Sequence, residues 1–136
     1  MSQRPATGAH DAAGILLVCA ATGRALLMRR TDDGTWSVPA GHAEGGEEPL
    51  ETAERELAEE TGYLGPLEDV EHLASFDVPI VFVMFQAVAP AEFRPRLNGE
   101  HDAWGWFAFA EPPRGGDQLP EPLHPGLEAA IFYNDR

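Results

Sequence analysis

The amino-acid sequence predicts one α/β domain in which helices pack against a mixed β-sheet. Two observations lead to this prediction. The chain has 136 residues, about the length of one domain, and 43% of them are hydrophobic, enough for a core. Stretches of strand length precede and follow one amphipathic helix, an order typical of α/β domains. We find no repeat or linker, so residues 1–136 are predicted to form one domain, with residues 1–11 as a loose lead-in.

Strands are predicted where β-branched and aromatic residues cluster between turn residues. The predicted strands are Gly14–Ala20, Arg24–Arg30, Trp36–Val38, Val70–Asp77, Val78–Ala87 and Trp104–Phe109. The run Ile80–Phe85 within the fifth strand predicts burial on both faces. Loops are predicted over residues 41–47, 90–103 and 111–125, and the tail from Pro125 to Asn134 has a helical pattern.

A helix is predicted from Pro49 to Thr61. Proline suits the first helical position because its missing N–H has no partner there anyway. Gly62 suits the left-handed residue that closes a helix. The apolar positions are spaced i, i+3 and i+7 and form one stripe: Leu50, Ala53 and Leu57.

The charge balance limits the kinds of ligand this protein binds. The chain has nine basic residues, all arginine, and 23 acidic residues, which gives a net charge of −14. Without lysine there is no Schiff base and no Walker-type phosphate loop. The acidity argues against binding duplex nucleic acid or an anionic membrane. An anionic substrate would need metal cations to bridge it to the protein.

The single cysteine, Cys19, rules out an internal disulfide and a Cys/His zinc cluster. It is interpreted as a buried strand residue, with a catalytic thiol as the alternative. We find no secretory signal and no apolar stretch of about 18 residues. The expectation is a cytoplasmic protein without a membrane partner.

The predicted helix carries a group of acidic side chains. Glu56, Glu59 and Glu60 are spaced i, i+3 and i+4, so we expect their carboxylates to converge on one face. Such a face is either solvated or binds divalent cations, for which Mg²⁺ and Mn²⁺ are the natural choices.

These glutamates belong to a longer pattern that resembles the Nudix hydrolases, whose signature is G-x5-E-x7-R-E-U-x-E-E-x-G-U, with U a bulky aliphatic residue. All seven fixed residues match: Gly41, Glu47, Arg55, Glu56, Glu59, Glu60 and Gly62. Leu57 satisfies the first U, whereas Tyr63 departs from the last. The resemblance continues through the segments Trp36–Gly41 and Glu100–Phe107.

The resemblance implies an α/β/α sandwich around a mixed sheet and a metal-dependent hydrolase that uses Mg²⁺ or Mn²⁺. The implied substrate is a nucleoside diphosphate linked to another group, with a (deoxy)nucleoside triphosphate or damaged nucleotide expected. ADP-ribose and dinucleoside polyphosphates are alternatives, as is a non-catalytic nucleotide-binding regulator. Homodimers are common among the family, so a homodimer is a further expectation.

The resemblance also implies roles for individual residues. The metal ligands would be Glu56, Glu59, Glu60 and the carbonyl of Ala40, with Glu56 as the base within the motif. Arg55 would orient one of these glutamates, with direct phosphate binding as the alternative.

Further residues would support the site. Glu47 would pair with Arg55 and brace the loop onto the helix, and Gly41 would let the loop turn tightly. Gly62 would close the helix, and Glu44 would be solvated.

Outside the motif, Glu100 is the candidate for an additional metal ligand or base, with Asp102 or a plain surface loop as alternatives. His42 and His101 are interpreted as loop histidines, with acid–base roles as the alternative. One of the tryptophans could stack on a nucleobase, but no substrate-binding residue can be assigned.

Overall fold

The computed structural model describes residues 10–77, 80–108 and 119–133. The strands are β1 (Ala12–Cys19), β2 (Arg24–Arg30), β3 (Trp36–Ser37), β4 (Ala40–His42), β5 (Glu68–Phe76), β6 (Phe82–Ala89) and β7 (His101–Ala108). The helices are α1 (Pro49–Thr61) and α2 (Pro125–Glu128), and α2 continues as a π-helical segment over Ala129–Tyr133.

The strands form one mixed sheet in the order β3-β2-β1-β6-β5, with β4 paired to β1 and β7 paired to β2. The pairing of β1 with β6 is parallel, whereas the pairs β1–β2, β1–β4 and β5–β6 are antiparallel. Because β1 is buried almost throughout and pairs with three strands, it anchors the centre of the sheet.

A helical layer covers each face of the sheet. On one face Ala53 and Leu57 of α1 pack against a core that includes Ile15 and Leu26. On the other face Leu127 and Ala130 of the C-terminal helical segment pack against residues that include Leu16 and Leu27. The predicted α/β/α sandwich is therefore confirmed.

Helix α1 has the predicted bounds for the predicted reasons. Pro49 occupies the first turn, and Gly62 closes the helix with φ 79°, the left-handed conformation that glycine adopts without strain. The Glu51 carboxylate also accepts a hydrogen bond from the Glu48 N–H at 2.8 Å, a capping contact at the N-terminus.

Several strand predictions need correction. The short strand β4 lies in a segment that was predicted as loop after Ala40; its pairing with β1 comes from tertiary contact, which local pattern does not show. Strand β7 begins at His101, three residues earlier than predicted, because β2 extends its pairing to that residue. Ile80 is 38% exposed and precedes β6, so burial on both faces applies only from Val83 onwards.

The lead-in is firmly attached at its last two residues. The Asp11 N–H donates to the Val81 carbonyl at 2.8 Å, and its carboxylate accepts from the Val81 N–H. The predicted loop over residues 111–125 and the strand end at Phe109 lie largely outside the described residues. Within the part that is described, no helix is long and apolar enough to cross a membrane.

Candidate active site

Two carboxylates lie in the protein interior where α1 faces β4. Glu56 and Glu60 extend the apolar stripe of α1 by one turn, so both point towards the sheet rather than to solvent. The Glu60 side chain is fully buried, and that of Glu56 is 10% exposed. The Glu60 Oε1 atom accepts a hydrogen bond from the Ala40 N–H at 3.1 Å.

This pair cannot hold two negative charges without compensation. Burial is the main cause that raises the pKa of Glu60, to about 9, and the neighbouring Glu56 carboxylate, which is in hydrogen-bond contact with it, raises it further. Without a cation Glu60 therefore keeps its proton near neutral pH. The Glu60 Oε2 atom is buried and has no protein hydrogen-bond partner in the described part of the chain.

Gly41 makes room for this arrangement. A Cβ atom at position 41 would overlap the carboxyl group of Glu56, with all three carboxyl atoms closer than any ordinary contact. Gly41 lies within β4, so the prediction that it allows a tight turn is wrong. Its missing side chain is the space that the Glu56 carboxylate occupies.

Arg55 connects the loop after β4 to the acidic side of α1. Its Nε donates to Glu47 at 2.6 Å, its Nη2 donates to the His42 carbonyl at 2.8 Å, and its Nη1 donates to Glu56 at 3.0 Å. The hydrogen bonds from Arg55 are the main cause that lowers the pKa of Glu47, to about 2. Glu44 stays largely exposed, 3.5 Å from the same guanidinium.

Glu59 lies on the solvent side of the same arginine. Its side chain is half-exposed and accepts from Arg55 Nη1 at 3.1 Å. The same nitrogen donates to Glu56 at 3.0 Å, so Glu59 lies near the buried pair but remains half-exposed. Consecutive helical residues are about 100° apart, which turns Glu59 from the sheet towards the solvent side of Arg55.

The sequence and the fold can now be compared with known proteins. A family model described as NUDIX domain matches residues 8–128. The chain belongs to the Nudix family. Its membership accounts for the buried carboxylate pair, the arginine that braces it and the glycine beside it as parts of one motif.

Relatives of this Nudix chain differ in what their names say they do. It is 39% identical over 92 residues to an octanoyltransferase of Myxococcus xanthus, covering 61% of this chain and 26% of that protein. It is 32% identical over 95 residues to the asymmetrical bis(5'-nucleosyl)-tetraphosphatase of Rattus norvegicus, covering 62% and 65%. The chain thus spans between a quarter and two thirds of these relatives.

Among solved structures, a MutT NUDIX hydrolase from Burkholderia pseudomallei superposes with a TM-score of 0.67. The two chains are 28% identical, and the match covers 90% of this chain and 95% of that one. Most of the chain therefore corresponds to a known structure of the family.

Nudix hydrolases generally use divalent metals, and the donors at this site suit one. Carboxylate oxygens are the ligands that Mg²⁺ and Mn²⁺ prefer, and the unpartnered Glu60 Oε2 beside Glu56 is a place where positive charge is needed. In the geometry of the described residues, however, no three His, Cys, Asp or Glu side chains form a ready group of ligands. Ala40 contacts the pair through its N–H.

The two acids outside the motif lie in different surroundings. Glu100 is exposed at the end of the loop before β7, and its charge is close enough to raise the pKa of Glu60. Asp102 forms an exposed ion pair with Arg29 at 2.7 Å. The structure therefore brings Glu100 towards the buried pair and leaves Asp102 bound elsewhere.

His101 lies beside the buried pair, a position that sequence reasoning missed. It was predicted to be a loop histidine, but it lies in β7 with its side chain 6% exposed. Its Nδ1 atom is 3.9 Å from Glu60 Oε1. No local pattern reveals this, because the position depends on an irregular pairing of β7 with β2. His42, in contrast, is exposed.

The three tryptophans have separate environments. Trp106 is buried, and its indole N–H donates to the Phe93 carbonyl at 3.0 Å. Trp36 packs edge-on against Phe107 on the opposite face of the sheet. Trp104 is half-buried on the α1 face, and its ring is covered by the guanidinium of Arg94 at 5.6 Å. As predicted, Trp104 and Trp106 share one face and Phe107 takes the other.

Proposed function

We propose that the protein is a metal-dependent pyrophosphohydrolase that cleaves a phosphoanhydride bond of a (deoxy)nucleoside triphosphate or a damaged nucleotide. The observation that carries this proposal is the pair of Glu56 and Glu60, two carboxyl groups that the fold places together in the protein interior. A protein maintains such a pair at the expense of stability when the pair has a functional use. Membership of the Nudix family supplies the reaction class.

Each residue of the site has a proposed task. Glu56 and Glu60 would hold a divalent cation, together with Glu59 and Glu100 from the solvent side. When bound, this cation neutralises charge on the diphosphate and lowers the pKa of a water molecule. Glu56 is the proposed base, and Arg55 fixes its orientation through the 3.0 Å hydrogen bond. The five other hydrogen bonds that Arg55 donates leave it little capacity to bind phosphate directly.

Trp104 is the proposed stacking surface for the nucleobase. It is the one tryptophan that is half-buried on the α1 face while its ring is covered only by a surface arginine. It lies three positions after His101 along β7, which corresponds to about 10 Å of strand. Stacking of a base is worth about 1–3 kcal/mol, so Trp104→Leu should raise KM by about 5–150-fold. Trp36→Leu, on the opposite face, is the matched control and should leave KM unchanged.

A second candidate substrate is a dinucleoside polyphosphate. The similarity to the rat tetraphosphatase favours it, and the same carboxylate pair could act on its phosphate chain. A non-catalytic nucleotide-binding regulator is the remaining alternative. The intact set of motif residues argues against it, because a protein that only binds nucleotide has no need of the buried pair.

One experiment tests the proposal. Nucleoside triphosphates, damaged nucleotides, ADP-ribose and dinucleoside polyphosphates are each incubated with the protein and Mg²⁺, with and without a chelator, and the products are separated by chromatography. We expect metal-dependent release of pyrophosphate from the triphosphate group. Turnover that persists in excess chelator would exclude the mechanism, and binding without turnover of any substrate would favour the regulator. The expected cytoplasmic location and homodimer stay predictions.

A further inference from the structure

Two buried side-chain atoms in residues 10–77, 80–108 and 119–133 lack a hydrogen-bond partner, and they lie together. They are Glu60 Oε2 and His101 Nδ1, and the histidine nitrogen is 3.9 Å from the other carboxylate oxygen of Glu60. Both side chains are more than nine-tenths buried. A buried polar atom without a partner destabilises a fold by about 1–3 kcal/mol. An unpaired histidine nitrogen 3.9 Å from a buried carboxylate oxygen indicates an arrangement that becomes complete only when the site is loaded.

The position of His101 results from a β-bulge. Arg29 pairs with Ala103 and Arg30 pairs with His101, so Asp102 is an extra residue without a counterpart on β2. Strict alternation from Trp104 would have turned Asp102 towards α1. The bulge reverses this and turns His101 inwards, while Asp102 goes out to its ion pair with Arg29. The irregularity therefore replaces a third carboxylate beside Glu60 with an imidazole.

We propose that His101 is a positioning residue for Glu60, whose Oε1 atom accepts a hydrogen bond from His101 Nδ1–H when the site holds a divalent cation. This inference rests on the proposed function. The Ala40 N–H already donates to the same oxygen at 3.1 Å. A second donor there fixes the carboxylate and leaves Oε2 for the cation. The distance of 3.9 Å between His101 Nδ1 and Glu60 Oε1 is about 1 Å longer than a normal hydrogen bond. A rotation of the histidine side chain would shorten it.

A role as a direct metal ligand is less suitable for this histidine. Mg²⁺ takes oxygen ligands, and the Glu60 oxygen 3.9 Å from Nδ1 is the one that already accepts from the Ala40 amide. Removal of a residue that hydrogen-bonds to a metal-ligating side chain commonly lowers metal affinity or activity by about 10–100-fold. The effect of losing His101 should therefore appear in metal affinity itself, which a merely structural histidine would not change.

The test measures binding of Mn²⁺ to the full chain by electron paramagnetic resonance, without nucleotide. An asparagine can place its amide N–H where His101 Nδ1 lies, whereas leucine removes the donor. We expect His101→Leu to weaken Mn²⁺ binding by about 10–100-fold and His101→Asn to stay within about threefold of the wild type. His124→Leu, which changes a half-buried histidine beside α2, is the control and should bind as the wild type does.

Several outcomes overturn the proposal. Binding by His101→Leu within threefold of the wild type would show that the donor is unimportant, and equal losses in both His101 variants would indicate an imidazole ligand instead. If the leucine variant does not fold, His101→Gln replaces it, because its amide reaches past the Nδ1 position and should bind as weakly as leucine. Failure of the wild type to bind Mn²⁺ would overturn the proposed function as well, whereas normal wild-type binding with an unaffected leucine variant overturns only this inference.

Discussion

Replacing Glu60 by glutamine should stabilise the metal-free protein at alkaline pH, although Glu60 is fully buried. The folded-state pKa of Glu60 is raised to about 9, because burial and the adjacent Glu56 disfavour its charged form. In the unfolded chain a glutamate titrates near 4.3. Between these two values the folded protein holds one more proton than the unfolded chain. The free energy of unfolding must therefore fall as pH rises through this window.

The magnitude follows from proton linkage. One extra proton in the folded state changes the unfolding equilibrium constant by at most tenfold per pH unit. From pH 7 to 8.5 this amounts to about 30-fold, or roughly 2 kcal/mol. Glutamine carries no titrating proton, and its carbonyl can accept the Ala40 N–H while its amide donates to Glu56. The Glu60→Gln variant should lack this decline and become the more stable protein at pH 8.5.

The assay is urea denaturation in chelator at pH 7, 7.75 and 8.5, followed by fluorescence. Burial lowers the pKa of His101 and His124, so their contributions change mainly below this range and are shared by both proteins. Glu59→Gln removes the same charge from a half-exposed position and should keep the wild-type profile. If the wild type and Glu60→Gln show parallel profiles, Glu60 does not hold a proton and the reasoning about the pair is wrong.

Three further predictions concern the surroundings of the pair. Gly41→Ala should lower kcat by at least about 100-fold, because the added Cβ displaces the Glu56 carboxylate. Gly45→Ala adds a methyl group in open space and should leave kcat unchanged. Both variants are assayed at equal concentrations of folded protein. Glu47→Gln should lower the melting temperature at pH 7. In calorimetry this difference in melting temperature should shrink as pH falls from about 4.5 to 2. The pKa of Glu47 is low, so its ion pair with Arg55 stabilises the fold above this range and is lost as the carboxylate is protonated. Glu100→Gln should lower kcat by about 100-fold or more and Asp102→Asn by less than threefold; the reverse order in steady-state assays would move the role to Asp102.

Sequence reasoning succeeded where structure depends on near neighbours in the chain. The bounds of α1 follow from Pro49 and Gly62, and its buried side follows from the spacing of Ala53 and Leu57. The motif supplied the ion pair of Arg55 with Glu47, which joins residues only eight positions apart. These features are decided within a few turns of chain, so the residue pattern contains the necessary information.

It failed where strands from distant parts of the chain decide the outcome. The pairing of β4 with β1 makes a strand of a segment that was predicted as loop. The bulge in β7 decides which of two adjacent residues faces the site, and it arises from the pairing with β2, about 70 residues earlier.

Contacts in the folded protein explain why a glycine and an arginine belong to a motif built around carboxylates. Glu56 can sit against β4 only because Gly41 has no side chain, and its charge is tolerated there because Arg55 donates to it. Among the described residues no arginine donates to Glu60, which accepts instead from the uncharged Ala40 amide. Of the two buried carboxylates, Glu60 is therefore the one whose ionisation depends on a cation. Binding of that cation would complete the site and supply the stability that the empty pair lacks.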